Sequence, residues 1–253
     1  GDQTFISLDA NNLSKDNFAM SLNGQANLRL LQIFTPFLEE LSGAATFTSN
    51  TSGTLFKPEV LGQASIRNGF AKLKGFPHAF EKITSDIQFS QSKIIINAFN
   101  GALAGGTFAG EGAVTIEGPQ NIPTSVKAKI SNVSLNLPDK VHTTGDGEIS
   151  FSGSWFPFTL SGVYNVSSGY VDKELDSEGG NLYLKQSSYL PKVVLKNAFE
   201  PILLDILINI PNPLVIKNSL VDGSVTGNLQ VKGAPTHIAL GGQLTAEKGT
   251  KAL

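Results

Sequence analysis

Apolar and polar residues alternate with a period of two along almost the whole chain. Phe18, Met20 and Leu22 alternate with Ala19 and Ser21; Val126, Ala128 and Ile130 with Lys127 and Lys129; Val133, Leu135 and Leu137 with Ser134 and Asn136. Ile149, Phe151, Gly153 and Trp155 share one parity, and Ser150, Ser152 and Ser154 take the other. Val225, Leu229 and Val231 stand against Ser224, Asn228, Gln230 and Lys232. Side chains of a strand point to opposite faces in turn, so each stretch predicts a strand with one apolar and one polar face. From Ile202 to Ile210 the pattern is richer. Ile202, Leu204, Ile206, Ile208 and Ile210 form one face, and Leu203, Asp205, Leu207 and Asn209 the other.

One segment breaks the rhythm. Leu30, Ile33, Phe34, Phe37, Leu38 and Leu41 fall at helical spacing, and Gly43 is placed to end a helix. This predicts a short amphipathic helix near residues 30–42, covering one end or edge of the sheet. Pro36 inside it would kink it or mark its start.

Three segments share an internal repeat of glycines: Gly53, Gly62 and Gly69; Gly153, Gly162 and Gly169; Gly233, Gly242 and Gly249. Each has a proline between its first two glycines, Pro58, Pro157 or Pro235. After the second glycine polar and apolar residues alternate, with Ala64 and Ile66, Tyr164 and Val166, or Leu244 and Ala246 on one parity. Glycine supplies turns with positive φ, and proline suits the start or edge of a strand. At one strand and turn per 8–12 residues, the chain would hold roughly 18–22 strands. That predicts an all-β fold, and residues 1–253 read as one elongated segment. The polar stretch Lys173 to Gly180 reads as a long hairpin loop.

Composition narrows the possibilities. Of 253 residues 40% are hydrophobic and 16% charged, enough apolar material for a large buried surface. The net charge is −2 and no run of Lys or Arg exceeds two, which removes the footprint of a nucleic-acid binder. Without cysteine there is no disulfide scaffold, thiolate nucleophile or Cys-based metal site. The most apolar stretch, Pro201 to Ile216, is broken by Asp205, Asn209, Pro211, Asn212 and Pro213 and is too short for a membrane-spanning helix. The chain starts at Gly1 with a single Met20, as in a piece of a longer protein whose targeting and anchoring parts lie elsewhere.

No catalytic constellation emerges. His78, His142 and His237 stand more than 60 residues apart with no acidic or histidine neighbour at ligand spacing, and read as solvent-exposed loop residues. Ser90 to Lys93 has a Ser-x-x-Lys pattern, but it precedes the strand Ile94 to Ile96 rather than opening a helix. Gly105, Gly106, Gly110 and Gly112 lead into an alternating strand, not the Lys-Ser/Thr and helix of a phosphate loop. Glu39 with Glu40, and Asp172 with Glu174 and Asp176, lack the apolar setting that raises a carboxyl pKa for acid catalysis. Asn12, Asn50, Asn132 and Asn165 begin Asn-x-Ser/Thr sequons, relevant only in a eukaryotic secretory pathway. The chain reads as a non-enzyme without cofactor or metal.

The stretches Gly53 to Gly75 and Ile206 to Leu244, with their glycine, proline and strand spacing, resemble the repeat of the TamB family, within an AsmA-like superfamily of bridge-like lipid transfer proteins. The segment from Leu30 to Leu41, followed by Gly43, fits the same pattern, and the resemblance covers most of the chain from about Phe18. It implies a long sheet curled into a taco-like open trough with an apolar inside. It also implies a periplasmic protein of a Gram-negative bacterium, anchored in the inner membrane. The implied partners are phospholipid acyl chains and a TamA-like, Omp85-type outer-membrane barrel, the latter met through parts outside this chain. The implied work is outer-membrane biogenesis and phospholipid movement between the two membranes.

On that reading the alternating faces select the trough lining: Ile66, Ile94, Ile96, Val126, Ile130, Ile149, Phe151, Leu204, Ile206, Ile208, Leu229, Val231 and Leu240. Burial is worth about 0.8 kcal/mol per CH₂, so a tail of about 16 carbons would gain on the order of 10 kcal/mol there. Two alternatives share the same alternation: a chaperone groove for outer-membrane protein strands, and a structural β-solenoid or sandwich without cargo.

Overall fold

A computed structural model describes residues 4–13, 18–34, 38–54, 57–137, 141–171, 200–217, 221–235 and 237–252. The strands are β1 (Phe5–Leu13), β2 (Phe18–Asn27), β3 (Leu38–Thr54), β4 (Lys57–Leu73), β5 (Ala79–Gln91), β6 (Lys93–Leu103) and β7 (Gly106–Thr115). They continue with β8 (Thr124–Leu137), β9 (Val141–Gly153), β10 (Phe158–Val171), β11 (Ile202–Lys217), β12 (Val221–Ala234), β13 (His237–Ala246) and β14 (Lys251–Ala252). All belong to one open, curled sheet in which β1 to β13 follow one another in chain order, while β14 pairs with β12. It is neither a two-sheet sandwich nor a stack of solenoid coils.

Among the described residues there are fourteen strands where 18–22 were expected for the chain, and they are longer than the glycine and proline punctuation implied: β3 and β4 have 17 residues each and β11 has 16. Several glycines and prolines sit at bulges inside strands rather than in turns. The β3–β4 register shifts between Ser42 and Ala44, around Gly43. That of β11 with β12 shifts between Ile210 and Leu214, around Pro211 and Pro213. A bulge leaves a residue out of the ladder, so a residue without an N–H is tolerated there. At about 4.8 Å per strand, thirteen strands in file extend roughly 58 Å.

The expected helix near residues 30–42 is mostly absent. A seven-residue 3₁₀ helix, Leu28–Phe34, buries Leu28 and leaves Leu30 exposed. The Arg29 N–H is capped by Asn27 Oδ1 at 2.9 Å. Leu38 and Leu41 instead pair with Leu73 and Ala71 of β4. Pro36 has no N–H to continue a helix, and from Leu38 onward an extended chain completes a ladder with β4.

The expected hairpin loop at Lys173 to Gly180 lies outside the described residues. β10 and β11 run parallel, Phe158 beside Ile202 and Tyr164 beside Ile208. Every other neighbouring pair is antiparallel. Parallel neighbours require a return crossover between them.

The three repeats are one recurring hairpin. The first glycine lies at or near the end of β3, β9 or β12, and the second lies in the strand that folds back, β4, β10 or β13. Gly62 faces Ser49, Gly162 faces Ile149 and Gly242 faces Leu229, the same separation along the chain each time. A Cβ there would land on the carbonyl oxygen of Thr48, Glu148 or Asn228. The curl brings the neighbouring backbone into that space, so only glycine fits.

Candidate functional site

Residues paired across neighbouring strands project from the same face, so the register decides which side chains meet. One row runs Phe47, Ala64, Ile87, Ile96, Gly112, Val126, Phe151, Leu160, Leu204 and Gly233. The next runs Ala45, Ile66, Ser85, Phe99, Gly110, Ala128, Ile149, Gly162, Ile206, Val231 and Leu240. A third runs Gly101, Phe108, Ile130, Gly147, Tyr164, Ile208, Leu229 and Gly242. Ile94, two positions before Ile96, pairs with Phe89 and Val114. All thirteen residues selected by parity thus share one face of the sheet. Ile130 is buried, Leu240 is 53% exposed on the edge strand β13, and the other eleven are half-buried.

Among paired positions from β6 to β13, this face carries no charged side chain; its polar groups are those of Thr124, Thr143 and Tyr164. Glycines on it stand opposite large residues: Gly62 beside Phe89, Gly110 beside Phe99, Gly147 beside Tyr164, and Gly162 beside Ile149 and Ile206. Bulk and gap therefore alternate, which lets a concave face curl without crowding.

The opposite face is a ladder of polar pairs. Ser21 Oγ donates to Asn50 Oδ1 (2.7 Å), the Thr46 and Ser65 hydroxyls meet at 2.8 Å, and Asn209 Nδ2 donates to Asn165 Oδ1 (2.9 Å). Arg67 pairs with Asp86 at 2.7 Å, and Asp205 lies 3.8 Å from Lys232 Nζ. Two shallow depressions lie mostly on this polar side, one around Thr46, Gln63, Ser65 and Gln88, the other around Ser134, Asn136, His142 and Tyr170. From β6 to β13 charge is thus confined to this opposite face, which also exposes Leu203, Val215 and Tyr170.

Burial of the apolar face is uneven along the strands. A cluster of Leu103, Phe108, Ile130, Val133, Tyr164, Val166, Ile210, Leu214 and Val225 is closed from solvent, with Val133 at 0% and Val166 at 1% exposure. These residues lie toward the end of the sheet that holds the β4–β5 and β8–β9 turns. Phe76 of the β4–β5 turn packs on them and stacks against Phe80 at 6.0 Å. The same turn reaches β8, where His78 Nε2 accepts the Asn136 backbone N–H at 2.7 Å. Beside it Ala104 O accepts the Ser134 N–H at 2.9 Å. His142 Nδ1 donates to Asn136 Oδ1 (2.7 Å) and its ring stacks on Tyr170. The reading of isolated, solvent-exposed loop histidines is corrected here: His78 and His142 are part-buried and meet at Asn136, because the curl closes a 58-residue gap in sequence.

Tyr164 is the titratable group most affected by this enclosure. Burial pushes its phenol pKa up, the Thr143 hydroxyl at 3.3 Å pulls it down, and the Asp146 charge adds to the rise. Among the described residues no group of three or more His, Asp or Glu could hold a metal ion. Ser90 and Lys93 are cross-strand partners at the β5–β6 turn, and Ala104 and Gly105, both at positive φ, form the β6–β7 turn.

The selected lining omits Phe108, Val133, Leu160, Tyr164, Val166, Leu214 and Val225, which the register also brings to this face. The bulge between Ile130 and Val133 shifts the alternation by one, so a fixed parity fails there. The available signal was the glycines opposite Phe108, Val133, Tyr164 and Val166, but pairing partners have to be known before it can be used.

A family model described as the TamB C-terminal domain matches residues 97–253, more than half of the chain. No curated protein and no solved structure matches it.

Proposed function

Because the chain belongs to the TamB family, we propose that its apolar face is a stretch of hydrophobic groove that conducts phospholipids across the periplasm. The family acts in the translocation and assembly module of the Gram-negative cell envelope, is associated with a TamA-type partner, and is not known as an enzyme. No helix among the described residues is long and apolar enough to cross a membrane, which leaves crossing by strands open.

The observation that carries the proposal is the uncharged, half-exposed face from β6 to β13. An ordinary core would bury these side chains, whereas Ile206, Ile208, Leu204 and Val231 remain partly open. An acyl chain laid on them leaves water at about 0.8 kcal/mol per CH₂ and can slide along a strip that offers neither hydrogen bond nor charge to hold it. Such transfer needs no nucleophile.

Ile206→Asp in the full-length protein tests this. The new carboxylate sits at a half-exposed position where it stays hydrated, so the strand signature in circular dichroism should persist. Phospholipid transfer between donor and acceptor vesicles should fall at least tenfold. A folded Ile206→Asp protein that transfers lipid at the parental rate would refute the groove.

One observation favours a second reading, the chaperone groove for outer-membrane strands. β13 is exposed over its whole length, with Ile238, Leu240 and Leu244 at 39%, 53% and 42%. A client strand adding to that edge would depend on β13 and not on Ile206. Proline at Gly241 would then abolish client binding, while Ile206→Asp would leave it unchanged.

A further inference from the structure

We infer, resting on the groove reading above, that the groove is oriented across its width: a bound lipid keeps its headgroup at the Trp155 lip and sends its acyl tails toward the end walled by Phe76 and His78. The two ends of the strands differ in a way that fits only this direction. At the His78 end the apolar face is roofed by Phe76, with Val133 and Val166 fully enclosed. The backbone there is tied down by the Asn136 to His78 and Ser134 to Ala104 bonds, which leaves a polar head no exit.

At the other end the face is open. Ile96, Val126, Phe151 and Leu204 are half-exposed. A file of rings leads outward from them: Phe151 stacks on Phe158 at 5.1 Å, Phe158 meets Phe156 edge-on at 5.1 Å, and Phe156 meets Trp155 at 5.1 Å. Trp combines a large apolar body with one polar N–H, which suits it to the level where tails give way to headgroups. The hydroxyl of Thr124, paired with Gly153, stands on the apolar face at this end.

The dimensions agree. Along β8, Val126 to the enclosed Ile130 spans four residues, or about 13 Å at roughly 3.3 Å each. One leaflet's tails occupy about 15 Å, half of a hydrocarbon core about 30 Å thick. The open strip between lip and wall therefore matches the depth of one leaflet's tails, with the headgroup at the lip.

Trp155 is the single tryptophan of the chain and reports on the lip without mutation. The test is quenching of its fluorescence by phosphatidylcholine brominated at carbons 6 and 7 or at carbons 11 and 12. Lipid binding is scored separately, as lipid phosphorus that co-elutes with the protein. The shallow bromines should quench Trp155 at least twice as strongly as the deep ones. In a Trp155→Phe, Phe76→Trp protein the order should reverse. Equal or deeper-favoured quenching at Trp155, with lipid co-eluting, overturns the orientation and leaves the groove standing. Co-eluting lipid that quenches neither tryptophan does the same. Absence of co-eluting lipid overturns the groove reading itself.

Discussion

The strands β2 to β5 and β8 to β12 are built by the same rules yet present different surfaces. Both use the repeat hairpin, with Gly62 and Gly162 in the same register against the preceding strand, and both carry polar pairs on the outer face. The inner face of the first group mixes Phe18, Met20, Leu22, Phe47, Val60, Ile66, Ile87 and Phe89 with Ala45, Ser49, Thr51, Ala64 and Ser85. That of the second is Val126, Ile149, Phe151, Leu160, Ile206, Ile208, Leu229 and their neighbours. A continuous sheet therefore forms without a uniformly branched, apolar lining. Hairpin register, ladder hydrogen bonds and glycine at the points of close approach suffice. The heavy apolar lining of β8 to β12 exceeds what the fold demands, and it lies within the part matched by the TamB C-terminal model.

The sharpest break between the regions should come from charge. Val133→Asp buries an unpaired carboxylate in the walled cluster, at a cost of several kcal/mol, comparable to the whole stability of a typical domain. It should yield insoluble or unfolded chain, read by loss of strand circular dichroism. Ser49→Asp, at a half-buried position on the thinner face, should unfold within a few degrees of the parent, since its carboxylate can stay hydrated. Equal damage by both would erase the distinction.

Glycine should matter alike in both regions. Gly62→Val and Gly162→Val each drive a side chain into a neighbouring carbonyl and should cost about 1–3 kcal/mol by denaturant unfolding. Gly241→Val, where a Cβ meets open space, should cost far less. A neutral Gly162→Val would mean that the curl is not set by backbone contact.

The smallest effect is confined to the walled end. Tyr164 has a raised pKa in the fold, so its contribution to stability is fully present below the unfolded value near 10 and is lost as pH rises through the folded value. Urea midpoints measured from pH 8 to 11 should fall at the alkaline end, and less so for Tyr164→Phe. The variant should also lose about 1 kcal/mol at neutral pH with its long hydrogen bond to Thr143. An unchanged alkaline slope in Tyr164→Phe would assign the loss to other groups.

Much of this was readable in the sequence, and the failures are instructive. Alternation along Val126 to Ile130 and Ile202 to Ile210 identified strands and chose thirteen residues that the register brings to one face, since period two is a local property of extended chain. Turn counting failed because Gly43, Pro211 and Pro213 occupy bulges, which alternation and composition do not distinguish from turns. The helical spacing from Leu30 to Leu41 yielded to pairing of Leu38 and Leu41 with β4, a contact made at long range. The meeting of His78 with Asn136, like the wall it supports, depends on curl and has no local signature.

The central claim, that the inner face carries acyl chains, is tested most directly by photo-crosslinking in cells. A benzoylphenylalanine placed at Ile206 or Val231 of the full-length protein should capture phospholipid. The same group at Lys127 or Asn228, on the opposite face, should capture none above background. Equal capture from both faces, or none from Ile206 and Val231, would contradict the claim.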